Sequence, residues 1–129
     1  MATLQVLDII TPPSGWYASN MAFDQSILVC YRGRNELAIM DYDYAIYYIA
    51  GPVQCRPTQR HLIYNGRKWI ISLHNCIFTM FGVEHGETIR SPYYPGIRHL
   101  SGSMSIVGVS NGIVHVATSR VWARLTIRQ

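Results

Sequence analysis

Two aspartates lie one residue apart in the segment Asp41-Tyr42-Asp43. On an extended backbone, side chains two residues apart project to the same side, so two carboxylates could offer hard oxygen ligands to a divalent cation. A third oxygen ligand is not evident nearby in the sequence. Asp is also common in tight turns, where its carboxylate accepts hydrogen bonds from the local backbone. The pattern therefore favours a polar hairpin turn over a cation site.

Histidines and cysteines, the usual zinc ligands, are scattered along the chain. Only His74 and Cys76 form a close pair, and no spacing matches that of a structural zinc site. Cys30, Cys55 and Cys76 are an odd number without a CxxC pair, so no disulfide framework is predicted. Cys30 and Cys76 lie in apolar runs and are expected to be small buried side chains. We expect neither a metal nor a cofactor.

Motifs for covalent or phosphate chemistry are missing from the sequence. It contains no Gly-x-Ser-x-Gly nucleophile elbow and neither of the Gly-rich patterns that bind nucleotide phosphates. The seven acidic residues show no pairing that marks acid–base catalysis. The sequence therefore predicts a protein that is not an enzyme, and it offers no catalytic residue.

Tyrosines concentrate in two segments. Tyr42 and Tyr44 adjoin the two aspartates, and Tyr93 and Tyr94 lie in a segment flanked by prolines. Exposed aromatic rings next to hydrogen-bonding groups are typical of protein interfaces, and similar rings stack on the apolar faces of sugars. We therefore predict these four tyrosines as interface or ligand residues. A small carbohydrate-binding lectin with a glycan ligand is the alternative function.

The last predicted strand, residues 121–127, carries a basic stripe. Arg120, Trp122, Arg124 and Arg128 alternate with apolar residues, so a two-residue period places them on one face. Arginines that pair with phosphates, beside a tryptophan that stacks on bases, would form an anion- or nucleic-acid-binding platform. The simpler interpretation is a solvated outer strand whose arginines discourage edge-to-edge aggregation. A nucleic-acid-binding module is the second alternative function.

Strands must position all of these residues, because apolar residues recur with a period of two or in continuous runs and no segment shows a helical period. In residues 60–83, two apolar runs flank Asn65-Gly66, the strongest short signal for a hairpin. A second turn signal at His74-Asn75 is followed by a third apolar run, 76–83. The segment therefore predicts an antiparallel meander of three strands.

Similar strings of strands and turns occur elsewhere in the chain. Three antiparallel meanders are predicted at approximately residues 26–56, 60–90 and 103–129. Asn111-Gly112 is predicted as a second two-residue hairpin turn and residues 32–35 as a further turn, and the first two repeats each have room for a fourth strand, near residues 53–56 and 87–90. Residues 4–10 form a separate strand, which we expect beside the last strand, where it would complete the third meander. Residues 16–23 are predicted as an irregular connection. In this interpretation residues 1–129 form a single all-β domain.

One strand of the second repeat is apolar on both faces. One side carries Ile77, Phe81 and Val83, and the other carries Cys76, Phe78 and Met80. Such a strand must be covered on both faces. Small meanders stacked face to face resemble the blades of a β-propeller. A β-sandwich or barrel would explain the same turn spacing.

The resemblance to propeller blades has a consequence for assembly. Three blades are fewer than the four to eight or so that close a propeller ring, and they would leave two apolar sheet faces uncovered. The resemblance therefore implies self-association, for example two copies forming one ring, or docking onto a protein partner.

The composition points the same way. Apolar residues make up 49% and charged residues 14% of the chain, which has a formal net charge of +4. So sparse a charge, with nine tyrosines and three tryptophans, indicates that a partner covers part of the surface. No signal peptide or membrane-spanning run is recognisable, so cytoplasmic synthesis and no membrane partner are expected. We predict a non-enzymatic binding or assembly module, a structural subunit of a larger complex such as a virus or phage particle.

Overall fold

The computed structural model describes residues 2–23, 26–31, 36–49, 54–97 and 100–129. The protein is all-β, as the sequence predicted, and its strands form three antiparallel sheets. The described ranges contain one short 3₁₀ turn, Pro95–Ile97, and no α-helix. Within them, no helix is long and apolar enough to cross a membrane. The described strands are β1 (Thr3–Ile10), β2 (Trp16–Phe23), β3 (Ser26–Tyr31), β4 (Glu36–Met40), β5 (Ile46–Tyr48), β6 (Arg56–Pro57), β7 (Leu62–Tyr64), β8 (Arg67–His74), β9 (Ile77–Gly82), β10 (Thr88–Arg90), β11 (Gly102–Ser103), β12 (Ser105–Ser110), β13 (Ile113–Ala117) and β14 (Trp122–Arg128).

Each sheet is built mainly from one of the predicted repeats. The first sheet has the strand order β5-β4-β3-β2-β6. The second sheet has the order β10-β9-β8-β11, with β7 also paired to β8, and the third has the order β1-β14-β13-β12. Strand β1 pairs with β14 in antiparallel register, from Thr3 opposite Arg128 to Ile10 opposite Trp122. The N-terminal strand therefore lies beside the last strand, where strand counting placed it.

The third sheet lies between the other two. One core cluster joins the second and third sheets, and its larger members are Leu4, Trp69, Ile71, Phe78, Met80, Val116 and Leu125. A second cluster joins the first and third sheets through Ala18, Ile27, Val29, Ala38, Met40, Ala117 and Trp122. Both faces of the third sheet are therefore covered, and the sheets stack in the order first, third, second rather than in chain order.

Small residues of the first sheet make room for a large one of the third. Ala18 and Ala38 belong to the same cluster as Trp122, whose side chain is completely buried. A large side chain opposite small ones lets two sheets pack at the density of a protein interior without a void. This complementarity fixes the place of the first sheet on the third.

Among the residues that the structure describes, three hairpins have two-residue turns. The turns at Asn65-Gly66 and Asn111-Gly112 have positive φ at both residues, so these two predictions are confirmed. The third turn is Asn75-Cys76, because His74 is the register partner of Ile77. The sequence had assigned Cys76 to the following strand, which is wrong by one residue. Cys76 has φ +68 and a buried side chain, so a non-glycine residue is held in the left-handed region.

The first sheet departs furthest from expectation. Residues 16–23, predicted as an irregular connection, form β2, which pairs with β3 on one side and β6 on the other. Ladder bonds from two neighbours outweigh the weak strand propensity of its Ala, Ser and Asn residues. The turn predicted at 32–35 and the strand start at residue 53 lie outside the described residues. The additional strand predicted at 87–90 is β10, which pairs with β9.

Candidate functional site

The loop between β4 and β5 is organised by Asp41. The N–H of Asp41 donates to the carbonyl of Ala45 (3.0 Å), and the N–H of Tyr44 donates to the carbonyl of Asp41 (3.1 Å). Oδ1 of Asp41 accepts hydrogen bonds from the N–H groups of Asp43 (2.9 Å) and Ala45 (3.1 Å). The Asp41 carboxylate therefore stabilises its own turn, which is the simpler of the two roles that the sequence allowed.

Potential metal ligands do not gather in the described part of the chain. Among those residues, no group of three or more His, Cys, Asp or Glu side chains is arranged to hold a metal ion. The three cysteines are free, with Cys76 buried and Cys30 and Cys55 half-buried. His99 lies outside the described residues. His85 packs edge-on against the ring of Trp69, with 4.7 Å between ring centres.

Arg124 connects this loop to the third sheet. Its Nε lies 3.0 and 2.9 Å from the two carboxylate oxygens of Asp8, and its Nη2 also bonds Oδ2 of Asp8. Nη1 of Arg124 lies 3.3 Å from Oδ1 of Asp43. Asp8 and Arg124 are register partners on β1 and β14. A guanidinium that bonds both oxygens of one carboxylate forms a strong and directional pair.

Tyr44 completes the contact between the loop and the sheet. Its hydroxyl donates to Oδ1 of Asp8 (2.7 Å), and the Arg124 guanidinium carbon lies 5.0 Å from its ring centre. The ring stacks near Trp122 with 6.3 Å between centres. Tyr44 has φ +66, a strained conformation for a residue with a side chain, so these contacts hold the backbone in place. We call Asp8, Asp43, Tyr44, Trp122 and Arg124 the inter-sheet clamp.

A second aromatic contact lies beside the clamp. The rings of Tyr42 and His115 stack with 3.9 Å between centres and 10° between planes. The Tyr42 hydroxyl occupies the space that a Cβ would need at Gly108, so a larger residue at position 108 would have to displace the Tyr42 side chain. Nδ1 of His115 and Nε1 of Trp122 are buried and have no hydrogen-bond partner among the described residues. His115 is thus enclosed between the first and third sheets.

The charges of this region match a structural role. Hydrogen bonding from Arg124 holds the pKa of Asp8 below its usual value. Burial, reinforced by the hydrogen bond to Asp8, raises the pKa of Tyr44, and burial lowers the pKa of His115. At neutral pH the Asp8 carboxylate is therefore ionised beside the Arg124 guanidinium, while Tyr44 and His115 are neutral.

The central part of the basic stripe is not an exposed platform. The alternation predicted for β14 holds, since Trp122 and Arg124 face the same side. That side is covered by the first sheet, so Trp122 is completely buried and Arg124 is paired with Asp8 and Asp43. A completely buried Trp122 cannot stack on a base, and the Arg124 guanidinium already bonds two carboxylates, because the last strand lies in the central sheet and not in an outer one.

The ends of the stripe lie apart from its centre. Arg120 precedes β14 in the turn that follows β13, and its N–H donates to Oγ1 of Thr118. It lines an open cleft of about 380 Å³ with the segment 11–17 and Leu100. Nε of Arg128 donates to Oε1 of Gln5 (2.6 Å) on the neighbouring strand. The four stripe residues therefore do not act as one surface.

The four predicted tyrosines are also divided. Tyr44 packs against the cluster between the first and third sheets, and Tyr94 packs against the cluster between the second and third sheets. Tyr42 offers one ring face to His115, whereas Tyr93 is largely exposed. A single sugar site built from all four is not formed, because the third sheet separates Tyr44 from Tyr94.

The free face of the first sheet is apolar. Its described members on β3, β4 and β5 are Ser26, Leu28, Cys30, Leu37, Ile39 and Tyr47, which we call the first outer face. The register places Ile39 between Leu28 and Tyr47, and Leu37 beside Cys30. Leu37 is 50% and Tyr47 54% exposed, while their strand neighbours Ala38 and Met40 point inward and are buried.

The free face of the second sheet is mixed. Its apolar members are Ile63, Ile70, Ile77 and Phe81, its cations are Lys68 and Arg90, and its other polar members are Ser72, His74, Thr79, Thr88 and Ser103; together we call them the second outer face. Ile70 is the register partner of Phe81, and Ile63 that of Lys68. Ile63 is 64% and Phe81 41% exposed, although the sequence had suggested that both faces of β9 are covered. Exposed apolar side chains in neighbouring positions of one sheet are typical of an interaction surface.

Sequence reasoning missed most of these residues as interface candidates. The signal was present, because β3 (SILVCY) and β4 (ELAIM) carry apolar residues at consecutive positions, so both faces of the first sheet are apolar. The sequence pattern does not reveal the stacking order of the sheets, and this order determines which face of the first sheet remains free.

Comparison with known proteins adds no relative from which a role could be transferred. No protein-family model, no curated protein and no solved structure matches this chain.

Proposed function

We propose that this protein is a non-enzymatic binding and assembly module, a structural subunit of a larger complex. The observation that carries the proposal is the set of exposed apolar residues on the two outer faces, at the two ends of the sheet stack. The third sheet, by contrast, has each face covered by a neighbouring sheet. The first and second sheets have one covered face each, and their free faces carry exposed large apolar residues, including Leu37 and Tyr47 on the first and Ile63 and Phe81 on the second.

The energetics of the outer faces support docking. Complete burial of an exposed Leu, Ile or Phe side chain contributes about 1.5–3 kcal/mol to the free energy of binding. The side chains on the outer faces are already partly covered by their neighbours, so each contributes less than this. Several such residues adjoin on each face, including Leu37 and Ile39 on the first and Ile70 and Phe81 on the second. Exposed apolar residues that adjoin on one sheet face are often part of an interaction site.

The inter-sheet clamp supports the same role from another direction. Its ionised groups are paired with each other, and its aromatic rings pack between sheets. Such a network orients two sheets rather than binding a substrate. The strongest polar constellation among the described residues thereby stabilises the scaffold that holds the two outer faces apart.

Two readouts test the proposal with one set of variants. Leu37→Ser changes the first outer face, Phe81→Ser changes the second, and Val109→Ser is a matched control, since Val109 is 53% exposed on β12 outside both faces. Sedimentation velocity measures association, and fluorescence of the neutral dye Nile red measures apolar surface on the dissociated chain. We expect the unmodified protein to associate or to bind dye, the two face variants to do so less, and the control to be unchanged.

The contradicting result is equally clear. A chain that neither associates nor binds the dye, or one on which all three substitutions have the same effect, would exclude the outer faces as docking surfaces. Circular dichroism of every variant establishes that the comparison is made between folded proteins.

A further inference from the structure

We propose that a cleft at the edge of the sheet stack binds a small organic phosphate, with Arg90 and Arg128 as its anion-binding residues. The cleft has a volume of about 390 Å³ and lies where the first residues of β1 meet the segment that follows β10. Arg90 lines it from the second sheet and Arg128 from the third. The site shares no residue with the inter-sheet clamp, and its ligand goes beyond docking through the outer faces.

The two arginines have no acidic partner in the described part of the chain. There, the side chain of Arg128 bonds only Gln5, and that of Arg90 makes no hydrogen bond or ion pair. The described residues that line the cleft include no Asp or Glu. Two cations that line one cleft repel each other, and an anion bound between them would replace this repulsion by attraction. A doubly negative ligand would balance both charges.

The side chain of Arg128 is held in place by β1. Its Nε donates to Oε1 of Gln5 (2.6 Å), and both residues line the cleft. Because that bond uses only Nε, both terminal nitrogens of the guanidinium remain to donate to a ligand, and so does the amide nitrogen of Gln5. Two parallel N–H groups match the oxygens of a phosphate. The arrangement is therefore prepared for an anion before the anion binds.

The wall formed by the segment after β10 is rigid. The N–H of Ser91 donates to the carbonyl of Phe78 (2.9 Å), and Oγ of Ser91 accepts from the N–H of Phe78 (2.9 Å). The N–H of Tyr94 donates to the carbonyl of Cys76 (2.8 Å), and the Tyr94 ring packs edge-on against Phe78 with 6.4 Å between ring centres. These contacts tie the wall to β9, so little conformational entropy is lost when a ligand binds against it.

The composition of the lining favours an organic phosphate over other anions. Leu4, Pro92 and Tyr94 line the same cleft as the arginines, which suits a ligand whose anionic group is attached to an apolar or aromatic body. A phosphate monoester carries about 1.5 to 2 negative charges at pH 7, whereas a carboxylate or a sulfate ester carries a single charge. A nucleic-acid strand fits less well, since it needs cations along a groove, and Arg124 on the same face of β14 is bonded to Asp8.

Calorimetric titration with phenyl phosphate tests the proposal. We expect one molecule to bind per chain, and Arg90→Ala and Arg128→Ala each to weaken binding at least about tenfold, because hydrogen bonds to a charged group are strong. Arg120→Ala is the matched control, since Arg120 precedes the other end of β14 and lines a different cleft. Solvent screens a charge at that distance, so the dissociation constant of this variant should change less than about twofold.

Two further probes and the pH define the class of ligand. Phenyl sulfate has one negative charge and inorganic phosphate has no apolar body, so each should bind more weakly than phenyl phosphate. The second ionisation of a phosphate monoester has a pKa of about 6, so the affinity for phenyl phosphate should fall several-fold between about pH 7.5 and about pH 5. The described lining of the cleft contains no His, Asp or Glu, so this change reports the ligand.

Other results would contradict the proposal. Absence of phenyl phosphate binding at millimolar concentration, or unchanged binding in both cleft variants, would overturn the site. An equal loss in Arg120→Ala would mean general attraction of anions to a basic protein. Equal affinities for phenyl sulfate and phenyl phosphate would overturn the doubly charged ligand, and equal affinities for inorganic phosphate and phenyl phosphate would overturn the apolar body.

Two additions keep these outcomes separate from folding and from other ligands. Circular dichroism verifies each variant, and Arg90→Lys or Arg128→Lys replaces an alanine variant that is unfolded, since lysine keeps the charge but lacks the fork of two N–H groups and should also weaken binding. A short oligonucleotide without a terminal phosphate is the last probe. Tighter binding of this oligonucleotide than of phenyl phosphate, lost in both cleft variants, would replace the organic phosphate by a nucleic-acid strand.

Discussion

The third sheet and the second sheet use the same short antiparallel strands but differ in what covers them. Strand β13 of the third sheet is buried at four of its five residues, whereas β8 of the second sheet alternates between buried and open positions. Nevertheless, it is the covered third sheet that carries Asp8, His115 and Arg124 on one face, and the open second sheet that carries Ile63 and Phe81 on its free face.

The covered sheet thus carries charged residues and the open sheet carries exposed apolar ones, and this contrast shows how polar side chains can stabilise an interface between sheets. Within the third sheet, the charged groups are paired across β1 and β14 and bonded to the loop of the first sheet. A paired and hydrogen-bonded ion can be enclosed at moderate cost, and it fixes orientation. The exposed apolar residues on the free face of the second sheet have no such internal partner among the described residues. The difference therefore separates an interface that is complete within the chain from a face that stays open in it, where our proposal places a partner.

The largest expected effect tests the covered interface. Trp122→Ala removes a completely buried side chain between the first and third sheets and should lower the free energy of unfolding by about 3–5 kcal/mol. Phe81→Ala on the second outer face is the comparison, and the partly exposed ring should contribute no more than about 1 kcal/mol in the dissociated chain. Urea unfolding monitored by circular dichroism measures both. Similar losses in the two variants would show that the second outer face is covered within the monomer.

The ion pair of the clamp should have a smaller effect that depends on pH. Asp8→Asn removes the charge that bonds Arg124 and should cost on the order of 1–2 kcal/mol at pH 7, since the pair is partly exposed and screened by solvent. The folded-state pKa of Asp8 is lowered, so its stabilising effect is complete above the unfolded pKa of about 3.9 and is lost as the pH falls through the folded value. The difference between variant and unmodified protein should therefore shrink toward pH 2.

The control for this prediction is the other carboxylate on Arg124. Asp43 is largely exposed, so Asp43→Asn should leave the unfolding curve unchanged at either pH. The pKa of His115 is lowered in the folded state, so protonation of His115 also favours the unfolded chain. The free energy of unfolding should therefore fall as the pH drops below about 6.5, in the same direction as the effect of Asp8 at lower pH. A variant difference that grows on acidification would contradict the assignment of the pair as ionised.

The cost of backbone strain at a turn should not depend on whether the sheet is covered by other sheets. Gly66 in the second sheet and Gly112 in the third have φ of +71 and +75, and a Cβ at either position would meet open space. Replacing either by Val therefore costs only the left-handed conformation, about 1–2 kcal/mol. We expect equal losses at the two turns. A markedly greater loss in the free energy of unfolding for Gly112→Val, measured by urea unfolding, would mean that the turn of the third sheet also packs against other residues.

Much of the fold could be predicted from local patterns. The turns at Asn65-Gly66 and Asn111-Gly112 follow from residues that tolerate positive φ, and the inward positions of β8 follow from strict alternation. The pairing of residues 4–10 with the last strand followed from counting strands. Strand β2 was missed, since its own residues favour a strand only weakly and its pairing is supplied by β3 and β6.

The candidate site was less predictable because it depends on contacts between distant parts of the chain. Alternation correctly placed Trp122 and Arg124 on one face, but no local pattern reveals that the first sheet covers that face. Arg124 and Asp8 are separated by 116 positions in the sequence. The stacking order of the sheets depends on contacts between residues far apart in the sequence. It decides whether the residues of the basic stripe are exposed for binding or take part in the inter-sheet clamp.

The smallest expected effect uses two adjacent residues of β4 that face opposite ways. Leu37 is half exposed on the first outer face, and Ala38 is completely buried against the third sheet. Ala38→Ser places a hydroxyl in a covered interface and should cost about 1–2 kcal/mol, because a buried polar group without a good partner is destabilising. Leu37→Ser should change the free energy of unfolding of the dissociated chain by about 0.5 kcal/mol or less, as for most surface positions. Urea unfolding at several protein concentrations measures both, since association would add stability that depends on concentration. Leu37→Ser could instead prove more destabilising than Ala38→Ser even at the lowest protein concentration. The first outer face would then be covered within the monomer, and the distinction between covered and open sheet faces would be wrong for the first sheet.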